Sequence, residues 1–208
     1  MTPIPINLAV EDELSEGVVR RILLSRPVSY AIGPVFGQQG SGYLRKRAAA
    51  FQNAARACPF LLLTDLDRYP CPTALIEEWL DRPRHPRFLL RVAVREVESW
   101  LLGDAPGVRA LLGLKKSAVP CEPEQLADPK QVLLKLVLSS PRRPIREALA
   151  WKDELSGRLY QGPDYNATLA RFVARDWNLA GARKACPSLN RMVVALERIE
   201  SDFVVGPP

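Results

Sequence analysis

The chain has 208 residues, a formal net charge of +6, 47% hydrophobic residues and 25% charged residues; this suits one globular domain, or one core with a helical extension, and permits a polyanionic partner without requiring one. No apolar run is long enough to cross a membrane, and the N-terminus lacks the basic and apolar parts of a secretion signal, so we expect a cytoplasmic protein. The cysteines form no CxxC pair, which argues against a zinc ribbon or a disulfide framework.

The first half of the chain alternates between strand-like and helix-like segments. Apolar runs predict buried strands, and apolar residues three and four positions apart predict helices. The predicted strands are 6–10, 28–33, 60–64 and 88–94, and the predicted helices are 12–26, 44–55 and 75–80. Asp12 is the expected N-cap of the first helix, and the glycine-rich stretch 33–42 is typical of a flexible loop. The alternation predicts an α/β fold with a mostly parallel four-stranded sheet flanked by helices.

The second half of the chain is expected to be mainly helical. The candidate helices are 97–102, 107–112, 128–138, 145–151 and a last helix from a Ser188 cap to about residue 203. We therefore predict an α/β core over residues 1–104 and a mainly helical C-terminal extension over residues 105–208, packed on the core.

Acidic residues follow three of the predicted strands. Glu11 follows the first, Asp65 and Asp67 the third, and Glu96 the fourth, with Glu98 two residues later. The carboxyl ends of parallel strands meet at one edge of a sheet, where ligands bind. If strand geometry continues through Asp67, Asp65 and Asp67 point to the same side. Carboxylates from several strand ends are typical ligands of Mg²⁺ or Mn²⁺.

Such a metal site suits phosphoryl chemistry. A bound divalent ion polarises a phosphate and stabilises the leaving oxygen, and cationic side chains can assist the developing charge. Arg68, Arg91 and Arg95 are close in sequence to the acids, and Arg45 lies beyond the glycine-rich stretch. We expect Arg45, Arg68 and Arg95 to contact nucleic acid.

The order of these acids resembles the Toprim pattern of topoisomerases, primases and OLD-type nucleases. Toprim domains bind magnesium with one strand-end Glu, matched here by Glu11, and a later Asp-x-Asp, matched here by Asp65-Leu66-Asp67. The chain also resembles a narrower Toprim-like family of anti-phage defence effectors, which includes AriB of the PARIS system. That resemblance rests on three short segments: 95–102, Tyr165-Asn166 and 186–190.

The resemblance implies a Toprim-like, Rossmann-like fold and a Mg²⁺- or Mn²⁺-dependent nuclease acting on DNA or RNA in phage defence. It further implies that Glu11, Asp65 and Asp67 bind the metal directly and that Glu96 and Glu98 complete or support the metal site. Glu11, Asp65, Asp67 and Glu96 are the implied catalytic residues. Toprim effectors often work with a separate ATPase, so a partner ATPase is expected, and a homodimer is left open.

Two residues depart from the family pattern and keep other functions open. Asp12 stands where Toprim domains usually have glycine, and Arg95 stands where the narrower family often has histidine. The alternative to a nuclease is a catalytically degraded Toprim-like scaffold that binds a partner ATPase or nucleic acid. A phosphotransferase or phosphatase with an Asp-x-Asp nucleophile is a third, weaker hypothesis. Enzymes of that kind carry the motif near their first strand, whereas the first strand here ends in Glu11.

Overall fold

A computed structural model describes residues 2–115 and 119–205, without the side chains of 204 and 205. The chain forms two compact units. The first unit runs up to Val94 and also includes the segment from Ser188 onward, and the second unit runs from Arg95 to Pro187. The predicted boundary after residue 104 differs from this division, and the prediction of two such domains stays a prediction.

The first unit is built on a four-stranded sheet in which every neighbouring pair is parallel. Along the chain its elements are β1 (Ile4–Val10), α1 (Glu13–Leu24), β2 (Tyr30–Gly37), α2 (Ser41–Ala54), β3 (Phe60–Asp65), α3 (Pro72–Trp79) and β4 (Phe88–Ala93). The strand order is β2-β1-β3-β4. The predicted α/β fold, with a parallel sheet flanked by helices, is confirmed.

The central strands owe their position to uninterrupted apolar sequence. In β3 every residue from Phe60 to Thr64 is buried, as expected for a parallel strand covered on both faces. Leu62 of β3 pairs with Ala9 of β1 and with Leu90 of β4. An apolar core thus fixes the strands whose carboxyl ends carry the predicted acids.

The stretch predicted as a flexible loop is partly a strand. The prediction is wrong for residues 33–37, which belong to β2. A Cβ at Gly33 would lie 2.4 Å from the Asn7 side-chain oxygen, and one at Gly37 would lie 1.9 Å from the Val10 carbonyl oxygen. Gly37 also has a φ of +112°, which side chains rarely adopt. These two glycines let β2 lie close against β1.

The second unit contains helices and one short hairpin. Its elements are α4 (Val97–Leu102), α5 (Ala105–Leu112), a 3₁₀ turn (Pro123–Gln125), α6 (Pro129–Leu138), α7 (Arg143–Leu149), β5 (Ala150–Lys152), β6 (Leu159–Gln161), α8 (Tyr165–Arg175) and α9 (Leu179–Ala185). The sequence does not predict the β5–β6 hairpin or the helices α8 and α9. The predicted helix 145–151 is wrong at its end, because residues 150–152 pair with 159–161.

The last helix, α10 (Pro187–Val205), packs within the first unit from Ser188 onward. The Ser188 hydroxyl accepts a hydrogen bond from the Val94 amide at 3.3 Å. Further along α10, Glu200 accepts two hydrogen bonds from the Arg26 guanidinium, at 2.8 and 2.9 Å, and one from the Tyr30 hydroxyl at 2.9 Å. We call these three residues the Glu200 cluster. In the described part of the chain, no helix is both long and apolar enough to cross a membrane.

Candidate functional site

The strand order places a topological switch point between β1 and β3. After β1 the chain continues to β2 on one side, and after β3 it continues to β4 on the other side. In open parallel sheets, ligands bind in the crevice outside the carboxyl ends of two such strands. Glu11 directly follows β1, and Asp65 is the last residue of β3. The sheet therefore places these two acidic residues at the edge where a ligand is expected.

The Glu11 carboxylate bridges the ends of the two strands. Its Oε1 accepts a hydrogen bond from the Thr64 hydroxyl and another from the Asp65 amide, the latter at 2.8 Å. Thr64 is buried at the end of β3, so its hydroxyl is a fixed donor. Both donors engage the same carboxylate oxygen, which sets the orientation of the Glu11 side chain.

The electrostatic surroundings of Glu11 are negative. Burial raises the pKa of Glu11, the hydrogen bonds from Thr64 and Asp65 oppose that change, and the nearby charges of Asp67 and Asp12 raise the pKa further. The net result is a pKa above the ordinary range of a glutamate. No basic side chain of the described residues forms an ion pair with Glu11. A carboxylate with a perturbed pKa at the ligand-binding edge of a sheet is a candidate functional group.

Asp67, whose charge acts on Glu11, lies in a turn and not in a continuation of strand β3. The strand ends at Asp65, and Asp67 has a left-handed φ of +49°, so the expectation that strand geometry continues through Asp67 is wrong. A turn forms instead, in which the Tyr69 amide donates to the Leu66 carbonyl at 3.0 Å. Asp67 and Arg68 lie together on the wall of a cleft of about 540 Å³.

The segment after β2 lies against the strand end that presents Glu11. The Gln38 amide donates to the Val10 carbonyl at 3.0 Å, and the Gly40 amide donates to the Glu11 carbonyl at 3.2 Å. The Gln38 side chain donates to Glu16 at 2.7 Å. These contacts bind the loop to both β1 and α1, and they hold the backbone of Glu11.

Asp12, which stands where Toprim domains usually have glycine, has a local structural role. Its Oδ1 accepts a hydrogen bond from the Ser15 amide at 2.8 Å, which confirms the predicted N-cap of α1. Its φ of −153° is extended and requires no glycine. Asp12 therefore starts α1 while adding negative charge beside Glu11.

Glu96 and Glu98 form a network of their own in the second unit. Glu98 is buried, accepts a hydrogen bond from the Tyr165 hydroxyl at 2.9 Å and lies 3.5 Å from the Lys130 Nζ. Glu96 lies 3.7 Å from the same Nζ and accepts a hydrogen bond from the Lys130 amide at 3.0 Å. Burial raises the pKa of Glu98, against the opposing charge of Lys130. That these two acids join Glu11 in one site stays a prediction.

The predicted nucleic-acid-binding arginines have different local environments. Arg45 forms an exposed ion pair with Glu78 at 2.8 Å, a contact that contributes little to stability. Arg68 lines the cleft next to Asp67, and Arg95 lies partly buried in the second unit. Arg68 therefore lines the same cleft as Asp67, one of the predicted metal ligands.

The donors at the strand ends fit one mode of divalent-cation binding. Within residues 2–115 and 119–205, no group of three or more His, Cys, Asp or Glu side chains is arranged to hold a metal. Mg²⁺, however, commonly keeps several waters and is bound through one or two carboxylates. Glu11 and Asp67, which interact electrostatically, supply hard oxygen donors of that kind. The residues fit such a water-rich site and do not form a cage of protein ligands.

Residues 11–197 match the model of a protein family, DUF4276, a domain of unknown function. The chain belongs to the DUF4276 family. No curated protein and no solved structure matches the chain. The matched segment begins at Glu11 and contains all the predicted site residues. The resemblance to Toprim nucleases and anti-phage effectors stays a prediction.

Proposed function

We propose that this DUF4276 protein is a divalent-cation-dependent nuclease that hydrolyses phosphodiester bonds of DNA or RNA. One observation carries the proposal: a partly buried, negatively surrounded carboxylate, Glu11, lies at the switch point of a parallel sheet, where ligands bind. A cation there would neutralise the charges of Glu11 and Asp67. The same cation could then bind a phosphate oxygen.

Each residue of the site has a distinct role in this proposal. Thr64 and the Asp65 amide hold Oε1 of Glu11, so Oε2 is the oxygen that would face Mg²⁺ or Mn²⁺, together with Asp67. When bound, the metal supplies Lewis-acid polarisation of the scissile phosphate. Arg68, on the cleft wall, would orient the phosphate and offset its charge.

A cleavage assay with matched variants tests this function. The purified protein is incubated with tRNA, single-stranded DNA and plasmid in Mg²⁺ or Mn²⁺. We expect the wild type to cleave at least one of these substrates. The cleavage rate should fall by about a hundredfold or more in Glu11→Gln and in Asp67→Asn, because each substitution removes a ligand charge while keeping the side-chain shape. Glu13→Gln is the control, since Glu13 is exposed in the first turn of α1. Equal cleavage by wild type and Glu11→Gln would contradict the proposal.

A second candidate is a Toprim-like scaffold that binds a partner ATPase or nucleic acid without catalysis. It is favoured by the two hydrogen bonds that tie Glu11 to the end of β3, because they also give that carboxylate a purely structural use. Calorimetry separates the two candidates. Heat of binding with millimolar Mn²⁺ that disappears in Glu11→Gln supports the nuclease, and no binding supports the scaffold.

The cellular setting of the activity stays open to test. A role in phage defence, a separate ATPase partner, a homodimer and a cytoplasmic location all stay predictions. Co-expression with an ATPase encoded nearby, followed by co-purification, would test the partner.

A further inference from the structure

A second pocket of the first unit lies at the edge of the sheet and is lined by basic side chains. It has a volume of about 210 Å³ and lies against α3, β4 and the start of α10. Its charged lining consists of Arg84, Arg91 and Arg191. Ser188, at the start of α10, also lines the pocket. The predicted metal ligands do not line it. The pocket is therefore separate from the Glu11 site.

Arg91 is the unusual residue of this pocket. It interrupts the apolar sequence of β4, between Leu90 and Val92. Its Nε is shielded from solvent and has no hydrogen-bond partner among the described residues. A guanidinium normally satisfies its donors with carboxylates or carbonyls when it is buried. Here the fold keeps a cation in an apolar strand and leaves its shielded Nε without a partner among the described residues.

The neighbours of Arg91 make its position less favourable still. Burial and, to a smaller extent, the nearby charges of Arg84, Arg198 and Arg191 together lower the pKa of Arg91 to about 10. Arg84 donates to the Leu90 carbonyl at 3.5 Å, which is a long contact. Across the described part of the chain, no acidic side chain forms an ion pair with any of these arginines. The pocket thus concentrates positive charge on one side of β4.

We propose that this pocket binds a phosphate group, with Arg91 at its base and Arg84 and Arg191 at its rim. A phosphate presents several acceptor oxygens and at least one negative charge, which match converging guanidinium groups. The volume suits one phosphate and is smaller than pockets that enclose a whole nucleotide-sized ligand. Free phosphate and a terminal phosphate of a polynucleotide share this chemistry. The inference does not depend on the proposed nuclease activity.

Thermal unfolding and calorimetry in EDTA test the pocket without involving the metal site. The probes are inorganic phosphate, a 5′-phosphorylated oligonucleotide and the same oligonucleotide with a 5′-hydroxyl, with chloride at equal ionic strength as the salt control. We expect phosphate to raise the melting temperature of the wild type more than chloride does. Arg91→Met should weaken phosphate binding by about tenfold or more, because it removes a charge-assisted contact.

The control variant is Arg56→Met, which removes an equal charge from an exposed position after α2 and should bind phosphate like the wild type. Without phosphate, Arg91→Met should melt at the same temperature as the wild type or higher, since it relieves a desolvated charge. If that variant does not fold, Arg191→Ala at the exposed rim should show the same loss of binding. If the 5′-phosphorylated oligonucleotide binds more tightly than the 5′-hydroxyl form, the ligand is the phosphate at a polynucleotide end. If the two oligonucleotides bind equally and inorganic phosphate still raises the melting temperature, the ligand is free phosphate. Equal effects of phosphate and chloride, or phosphate binding unchanged in Arg91→Met, would overturn the proposal.

Discussion

Two carboxylates of the first unit, Glu200 and Glu11, have opposite environments. Burial disfavours the charge of Glu200, but the hydrogen bonds from Arg26 and Tyr30 and the charge of Arg26 outweigh it, and the pKa of Glu200 is lowered. Glu11 receives hydrogen bonds only from a hydroxyl and an amide, and it faces other acids, so its pKa is raised. Within one unit, Glu200 is thus paired with a cation, whereas Glu11 is surrounded by other acidic residues.

This difference accords with a structural role for Glu200 and with the functional role proposed for Glu11. The Glu200 cluster joins α10 to the segment around β2 and supplies its own counter-charge. Glu11 lies at the sheet edge where ligands of open parallel sheets bind, and no basic side chain of the described residues forms an ion pair with it. Arg91 repeats the second pattern with the opposite sign, because it is a partly buried cation among other cations.

The largest effect is expected when the Glu200 cluster is broken. Glu200→Gln keeps the shape of the side chain but removes the closer and better shielded charge that faces Arg26. Arg26 then keeps its longer ion pair, 3.4 Å, with the more exposed Glu197. We expect the free energy of unfolding to fall by about 3 kcal/mol at neutral pH, the usual cost of breaking a buried ion pair. Urea unfolding measures this loss. A loss below about 1 kcal/mol would show that Glu200 is not the better satisfied acid.

A smaller effect is expected from the hydroxyl that orients Glu11. Thr64→Val removes the donor to Oε1 while it keeps the buried volume at the end of β3. We expect the free energy of unfolding to fall by about 1 kcal/mol and the pKa of Glu11 to rise further. Urea unfolding and carboxyl NMR titration measure these two changes, and Ser201→Ala on the exposed side of α10 serves as the control. Unchanged titration of Glu11 would contradict the assigned hydrogen bond.

The smallest effect is expected when the charge of Glu11 itself is removed. Because the pKa of Glu11 is raised on folding, the folded state binds more protons than the unfolded state near that pKa, and stability falls as the pH rises through it. Glu11→Gln should therefore be no less stable than the wild type at neutral pH. Its advantage should disappear toward low pH, where the wild-type carboxyl is protonated.

Glu200 should show the opposite pH dependence. Its lowered pKa means that its contribution is present above the pKa of the unfolded chain and is lost as the pH falls through the folded value. Melting temperatures of wild type, Glu11→Gln and Glu200→Gln between acidic and neutral pH measure both trends. Parallel pH profiles for the two variants would contradict the contrast between the two acids.

The sequence predicts the sheet and the convergence of its acidic ends because both depend on local apolar runs. The apolar run from Phe60 to Thr64 has the length of a buried strand and is too short for a typical helix. The positions of Glu11 and Asp65 follow from where such runs stop. The left-handed turn at Asp67 was missed, because a non-glycine residue rarely adopts that conformation. Strand β2 was placed too early, because its glycines were interpreted as a loop.

Long-range packing accounts for most of the remaining misses. Nothing local indicates that α10 packs within the first unit, so the sequence could not place Arg191 beside Arg91. Arg91 inside the apolar run of β4 is a usable sequence signal for that pocket, because a charged residue is rarely buried without a partner. The hairpin formed by 150–152 and 159–161 has strands of three residues, too short to show an alternating pattern.

The central claim, that the Glu11 site binds a divalent cation, is tested most directly by a crystal structure of the protein soaked in Mn²⁺, with data collected at the manganese absorption edge. We predict an anomalous difference peak beside Oε2 of Glu11 and the Asp67 carboxylate, with Oε1 still bonded to Thr64, and no peak there in crystals of Glu11→Gln. Ordered Glu11 and Asp67 side chains at millimolar Mn²⁺ without a peak between them would contradict the account.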